Sequence, residues 1–127
     1  MAKEMIECIA LVCVQAKMEE TEKIEHLERR QEKFIREYSK RNGIKIVGVI
    51  RCRGLGQMHI NQKFNDIVAL IQTRKVQGMI VVDMQAISSN LADAYLKVGK
   101  VRSAGGIMVT VNDGLLRLNL MSKFYGK

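Results

Sequence analysis

Four short apolar runs, separated by segments of helical period, leave few folds open to this sequence. The first, Ile6-Glu7-Cys8-Ile9-Ala10-Leu11-Val12-Cys13-Val14, is β-branched and nearly unbroken, the pattern of a strand buried on both faces. Over residues 19–41, Ile24, Leu27, Phe34, Ile35 and Tyr38 recur at helical spacing among charges, and Asn42-Gly43 ends the helix. Residues 44–50 form strand two, and residues 51–59, with Gly54 and Gly56, form a loop. Ile60, Phe64, Ile67, Val68 and Ile71 share one face of a second helix, and residues 79–82 make strand three. Ser88, Ser89 or Asn90 can cap a third helix with Leu91, Ala94, Tyr95, Val98 and Val101 turned inward. Gly105-Gly106 closes that helix before strand four at 107–111, and residues 115–120 are a candidate for a short fifth strand. An order of β-α-β-α-β-α-β calls for an α/β fold in three layers, with helices on both faces of a parallel sheet. The most continuous strand, the first, belongs in the middle, which gives a sheet order of 2-1-3-4.

A chain of 127 residues with 47% hydrophobic content suits a single domain with its own core. No apolar stretch reaches the roughly 18 residues of a membrane span, and the N-terminus lacks the pattern of a secretory signal. The expectation is a single cytoplasmic domain spanning 1–127, not associated with membranes. Cys8, Cys13 and Cys52 are widely spaced, without a C-x-x-C pair, and read as reduced thiols rather than a disulfide framework or a metal site. Cys8 and Cys13 lie in an apolar strand as small hydrophobes, while Cys52, between Arg51 and Arg53, is the one placed to favour a thiolate. The net charge of +8 is uneven: residues 1–50 carry ten Lys/Arg against nine Asp/Glu, and residues 51–127 carry eleven against four. Such a basic region favours polyanions, DNA included, with Arg51, Arg53 and Lys63 as candidate contacts. Three Phe, three Tyr and no Trp provide no ladder for stacking single-stranded bases.

Ligands of an open parallel sheet bind at the carboxyl ends of its strands, here Gln15-Ala16-Lys17, residues 51–61, residues 83–90 and Asn112-Asp113. Asp83 after strand three has the place of a receiver-type phospho-acceptor, but such a site needs an acidic pair after strand one, where Gln15, Ala16 and Lys17 stand. Arg53-Gly54-Leu55-Gly56-Gln57 lacks the spacing of a dinucleotide loop. The positions six residues beyond the cysteines are Val14, Glu19 and Met58, so the arginine of a cysteine phosphatase is missing. His26 and His59 have no ligating partner nearby in sequence and read as surface histidines. A small-molecule transferase using Asp83 and Asn112 is a separate alternative.

Read together, the connections resemble one family. Gln31 followed by Tyr38, then Asn42-Gly43, the strand Ile44-Lys45-Ile46-Val47 and Gly54-Leu55 are similar to the first helix, second strand and loop of serine-type site-specific recombinases. Phe64 with Asp66-Ile67-Val68, Gln77-Gly78-Met79-Ile80-Val81-Val82, and Ile87-Ser88-Ser89-Asn90 with Asp93 resemble that family's next helix, third strand and the opening of its following helix. The resemblance covers about residues 6 to 115 and implies a resolvase-like catalytic domain, without the long helix and DNA-binding region of full-length members.

In that family a serine just after strand one attacks the DNA phosphodiester, and arginines stabilise the charge on the phosphoryl oxygens. The motif Tyr-x-Arg-Val-Ser falls on Leu11-Val12-Cys13-Val14-Gln15, which puts Gln15 at the nucleophile position and Cys13 at that of its arginine. The arginine opening the second helix corresponds to Asn61, and Asp-Arg-Leu-Ser-Arg corresponds to Gln85-Ala86-Ile87-Ser88-Ser89, so Ala86 and Ser89 replace two more. Only Gln31 remains of the polar set, while Ser88 falls on a serine or glycine of structural use. The resemblance therefore implies a domain of DNA recombination or mobile elements that is catalytically inactive and uses no cofactor or metal. Its expected partners are DNA, bound weakly and salt-dependently, a second copy, or an intact recombinase. An active recombinase fragment is the alternative.

Overall fold

The computed structural model describes residues 5–14, 21–53, 57–88, 90–112 and 114–115. Within them the order is β1 (Ile6–Val14), α1 (Thr21–Arg41), β2 (Ile44–Arg53), α2 (Gln57–Gln72), β3 (Gly78–Val81), a 3-10 turn (Met84–Ala86), α3 (Leu91–Ser103), β4 (Ile107–Thr110) and β5 (Gly114–Leu115). The sheet runs β2-β1-β3-β4-β5, with the first four strands parallel and β5 antiparallel to β4. The expected order of 2-1-3-4 is the observed one. A fifth strand exists but occupies Gly114–Leu115, whereas residues 116–120 of the expected strand lie outside the described residues.

Alternation along β1 divides the core in two. Ile9, Leu11 and Cys13 point to the face covered by α2 and α3, where they pack with Phe64, Ile67, Val98 and Val101. Cys8, Ala10 and Val12 point to the face covered by α1, against Ile35 and Tyr38. Burial on both faces is why the first run contains almost no polar residue. Phe64, fully buried, gains roughly 2–3 kcal/mol by leaving water.

The β1–β2 ladder contains one irregularity. Cys8 pairs with Ile46 but Ile9 pairs with Gly48, so Val47 is an extra residue on the edge strand, and its side chain is exposed. Beyond it every partner on β2 is one residue later than an unbroken register would place it, and Cys13 faces Cys52 instead of Arg51.

Three expectations are corrected by packing. Strand two runs on through Arg53 and α2 begins at Gln57, so much of the expected 51–59 loop is regular structure. The reason is that β1 extends to Val14 and supplies ladder partners for Arg51, Cys52 and Arg53, and an edge strand tolerates the two charged arginines. On α1 the inward stripe includes Ile24, Glu28, Ile35 and Ser39, while Phe34 is 40% exposed with the Arg30 guanidinium 5.6 Å from its ring centroid. The apolar pattern misplaced this face because the side chains facing the sheet include polar ones. On α3 Leu91 is exposed and Lys97 is buried beside Ala94, Val98 and Val101. The long lysine stem can line the core because its ammonium reaches the Asp93 carboxylate and lies 5.9 Å from the Phe64 ring centroid. Of the three candidate caps Asn90 is the one used, its Oδ1 accepting from the Asp93 N–H at 3.1 Å. Gly43 (φ 69°) and Gly105 (φ 90°) end α1 and α3 in the left-handed region, as Asn42-Gly43 and Gly105-Gly106 suggested.

Candidate functional site

The carboxyl ends of β1 and β2, the first turns of α2 and the segment after β3 meet at one end of the sheet. Cys13 lies at the end of β1 and Cys52 beside it on β2, 5% and 3% exposed and on the same face. The Cys13 S–H donates to the Cys52 sulfur, which together with burial holds the Cys13 thiol well above its ordinary range. That contact and the Lys63 ammonium lower Cys52 against the opposing effect of burial. Cys8, on the other face, is pushed up to about 12 by burial. Cys52 is thus the most acidic of the three thiols, through Cys13 and Lys63 rather than its sequence neighbours.

From α1, Gln31 reaches the end of β1 and its Nε2 donates to the Cys13 carbonyl at 2.8 Å. Its Oε1 is buried and accepts no hydrogen bond among the described residues. On α2, Gln57 Nε2 donates to Asn61 Oδ1 at 2.9 Å and to the Ile87 carbonyl at 2.8 Å, tying the helix opening to the segment after β3. Sequence reading singled out Asn61 but missed Gln57, whose only signal is an i, i+4 amide pair after a glycine loop.

Beyond β3, Asp83 Oδ1 accepts from the Ala86 N–H at 3.1 Å and caps the short turn, a local structural use of the residue weighed as a phospho-acceptor. Ala86 is buried. Ser88 is buried as well, its Oγ accepting from the Asn90 N–H at 3.1 Å and its hydroxyl donating to the Asp93 carboxylate. Asp93, bonded first by Lys97 and then by Ser88, sits below the ordinary carboxylate range. Lys97, also missed in the sequence, is thus the cation associated with Ser88, at one remove through Asp93. Asn112 is exposed at the end of β4, and its backbone N–H donates to the Val82 carbonyl at 3.2 Å. His26 is exposed on α1, and His59 lies on α2 rather than in a loop.

Gln15 and Ser89 lie outside the described residues. Of the positions that the family resemblance assigns to arginines, the described ones hold a thiol at Cys13, an amide at Asn61 and a methyl at Ala86, none of which supplies positive charge. The candidate DNA contacts do not share a face. Arg51 lies on the α1 side, where it pairs with Glu32, and Lys63 lies on the α2 side near Cys52. Arg53 ends β2, and its side chain is outside the described atoms. A broad apolar groove of about 1020 Å³, lined by Val68, Gln72, Leu91, Tyr95 and Leu96 among others, runs between α2 and α3 and includes none of these site residues.

No family model and no curated protein matches the sequence. Solved structures do match. A resolvase family site-specific recombinase from Streptococcus pneumoniae aligns at 17% identity and a TM-score of 0.70, over 95% of this chain and 86% of that one. The N-terminal catalytic domain of TP901-1 integrase aligns at 14% identity and 0.68, over 94% of both chains. The C-terminal catalytic domain of ISC1926 TnpA, an IS607-like serine recombinase, aligns at 14% and 0.63, over 95% of this chain and 77% of that one. The sheet order and the helices on both faces agree with the sequence resemblance, and the chain has the fold of a serine recombinase catalytic domain.

Proposed function

We propose that this chain is a recombinase-like domain that does not cleave DNA and acts in the cytoplasm through binding, within DNA recombination or mobile elements, as a subunit beside an intact recombinase or a second copy of itself. The observation that carries this reading is the absence of positive charge at the described positions that the resemblance assigns to arginines. Cys13, Asn61 and Ala86 stand where the family resemblance calls for arginines, and Gln57, Asn61, Gln31 and the Cys13 carbonyl are engaged with one another or with the backbone. A phosphoryl group in transfer needs preorganised positive donors, and loss of a single such donor costs on the order of 10²–10³ in rate. Gln15 at the nucleophile position adds a further loss, because its amide nitrogen lone pair is delocalised and cannot replace a hydroxyl. The losses need not multiply, yet no residual rate of that order supports recombination.

The test is incubation with supercoiled DNA from the protein's own locus, followed by denaturing electrophoresis. The expected result is neither nicking nor a covalent adduct. An adduct that survives denaturation, and is lost on Ser88→Ala or Cys13→Ala, would establish a working recombinase instead.

Any binding to duplex DNA is weak and salt-dependent. Glu32 offsets Arg51, and the sheet separates Arg51 from Lys63, so few phosphates are neutralised together. With roughly 0.9 of logarithmic salt slope per phosphate contact, retardation at low ionic strength disappears near physiological salt. Sequence-specific retardation that persists at high salt would rule this out.

A further inference from the structure

We propose that Cys13 and Cys52 form a reversible oxidation site, closing to an intrachain disulfide under a hydroperoxide and reopening under a dithiol. The two residues are direct partners on adjacent parallel strands and belong to the same face and the same core cluster. Neighbouring strands stand about 4.8 Å apart, within the roughly 4.4–6.8 Å between Cα atoms that a disulfide spans. The two thiols are close enough to shift one another's titration, and their directly opposed positions on one face let side-chain rotation bring the sulfurs together. Lys63 stabilises the Cys52 thiolate, the form that attacks an oxidant. Cys8 is a control within the same chain: it is buried on the opposite face and opposes Ile46, with no thiol across the ladder.

In the first step the Cys52 thiolate attacks one peroxide oxygen. An S–O bond forms, the O–O bond breaks, and the departing oxide leaves as water or alcohol after taking a proton. In the second step the Cys13 sulfur attacks the Cys52 sulfur. The S–S bond forms, the S–O bond breaks, and the hydroxide that leaves takes the Cys13 proton as water. The two sulfurs together lose two electrons and the peroxide gains them. A dithiol reverses the reaction by exchange, becoming a cyclic disulfide itself. Because both thiols are nearly buried, the reaction is slower than that of a free cysteine and favours a small oxidant. The linkage would join the carboxyl ends of β1 and β2 beside the carbonyl that Gln31 holds, and it does not depend on the binding role proposed above.

The test uses the reduced, dilute protein, treated with hydrogen peroxide, denatured, alkylated and mapped by mass spectrometry without reduction. The expected products are a linked peptide pair containing Cys13 and Cys52 and an alkylated Cys8, with all three thiols restored by dithiothreitol. C13S and C52S should each abolish the link, whereas C8S should leave it intact. Three alkylatable thiols after treatment, a link through Cys8 or between two chains, or conversion of Cys52 to sulfinic acid without a link would each overturn the proposal. The mapping of the unsubstituted protein decides the matter even if a serine variant fails to fold.

Discussion

Replacing Gly78 with alanine tests the close approach of β3 and β4, on which the placement of Asp83, Ala86 and Ser88 depends. A Cβ at Gly78 would lie 2.5 Å from the Ile107 carbonyl oxygen and 2.6 Å from Ile107 Cγ1. Because one of those atoms is backbone and Gly78 and Ile107 are ladder partners, relief requires the strands to separate by roughly 1 Å from a spacing of about 4.8 Å. Bonds such as Ile107 N–H to the Gln77 carbonyl, 3.1 Å long, would be stretched beyond useful length. Overpacking costs about 1–3 kcal/mol, and a lost hydrogen bond adds about 1 kcal/mol. The reduced entropy of the unfolded chain returns roughly 0.4–1 kcal/mol. The net expectation for Gly78→Ala is a loss of about 2–3 kcal/mol. With a urea m-value of about 1–3 kcal/mol per molar, the midpoint should fall by roughly 0.7–3 M. Gly99→Ala is the control. Its Cβ would meet nothing within 4 Å in the middle of α3, so the variant should gain up to about 1 kcal/mol. If Gly78→Ala unfolds within about 0.5 kcal/mol of the unsubstituted protein, the argued approach of the two strands is wrong.

Lys97→Met keeps the buried stem and removes the ammonium, so stability should stay within about 1 kcal/mol, whereas Lys97→Ala should lose about 2 kcal/mol; equal losses in chemical denaturation would mean that the charge, not the stem, matters. Glu32 is held below the ordinary carboxylate range by a hydrogen bond from Arg36, reinforced by the Arg51 and Arg36 charges against partial burial. A depressed folded pKa means that this stabilisation is present above the unfolded value near 4.3 and is lost as pH falls through the folded one. Glu32→Gln should therefore cost up to about 1 kcal/mol at neutral pH and low salt, with the difference narrowing below about pH 4; a difference that grows on acidification would contradict the assignment. Deleting Val47 should leave the chain folded within about 1 kcal/mol, because Ile46 and Gly48 then continue the inward alternation without the extra residue. A collapse of the urea midpoint would show that the bulge is required.

The element order and the central place of β1 were legible in the sequence, because both follow from local pattern. An unbroken apolar run such as Ile6–Val14 needs cover on both faces, and period-3.6 segments between such runs need a sheet to pack on. The family resemblance could likewise be read from turns and short motifs, and the solved structures agree with it in fold. Faces and registers were not legible. Glu28, Ser39 and Lys97 are buried and Phe34 and Leu91 exposed because partners distant in sequence, not residue hydropathy, determine which stripe of a helix is covered. The pairing of Cys13 with Cys52 depends on one extra residue at Val47. Strand alternation alone allows Arg51 or Cys52 opposite Cys13, and only the assembled β1–β2 ladder, with Ile9 against Gly48, selects the thiol. Register is a long-range property: shifting a strand by one residue exchanges its two faces without changing any local preference.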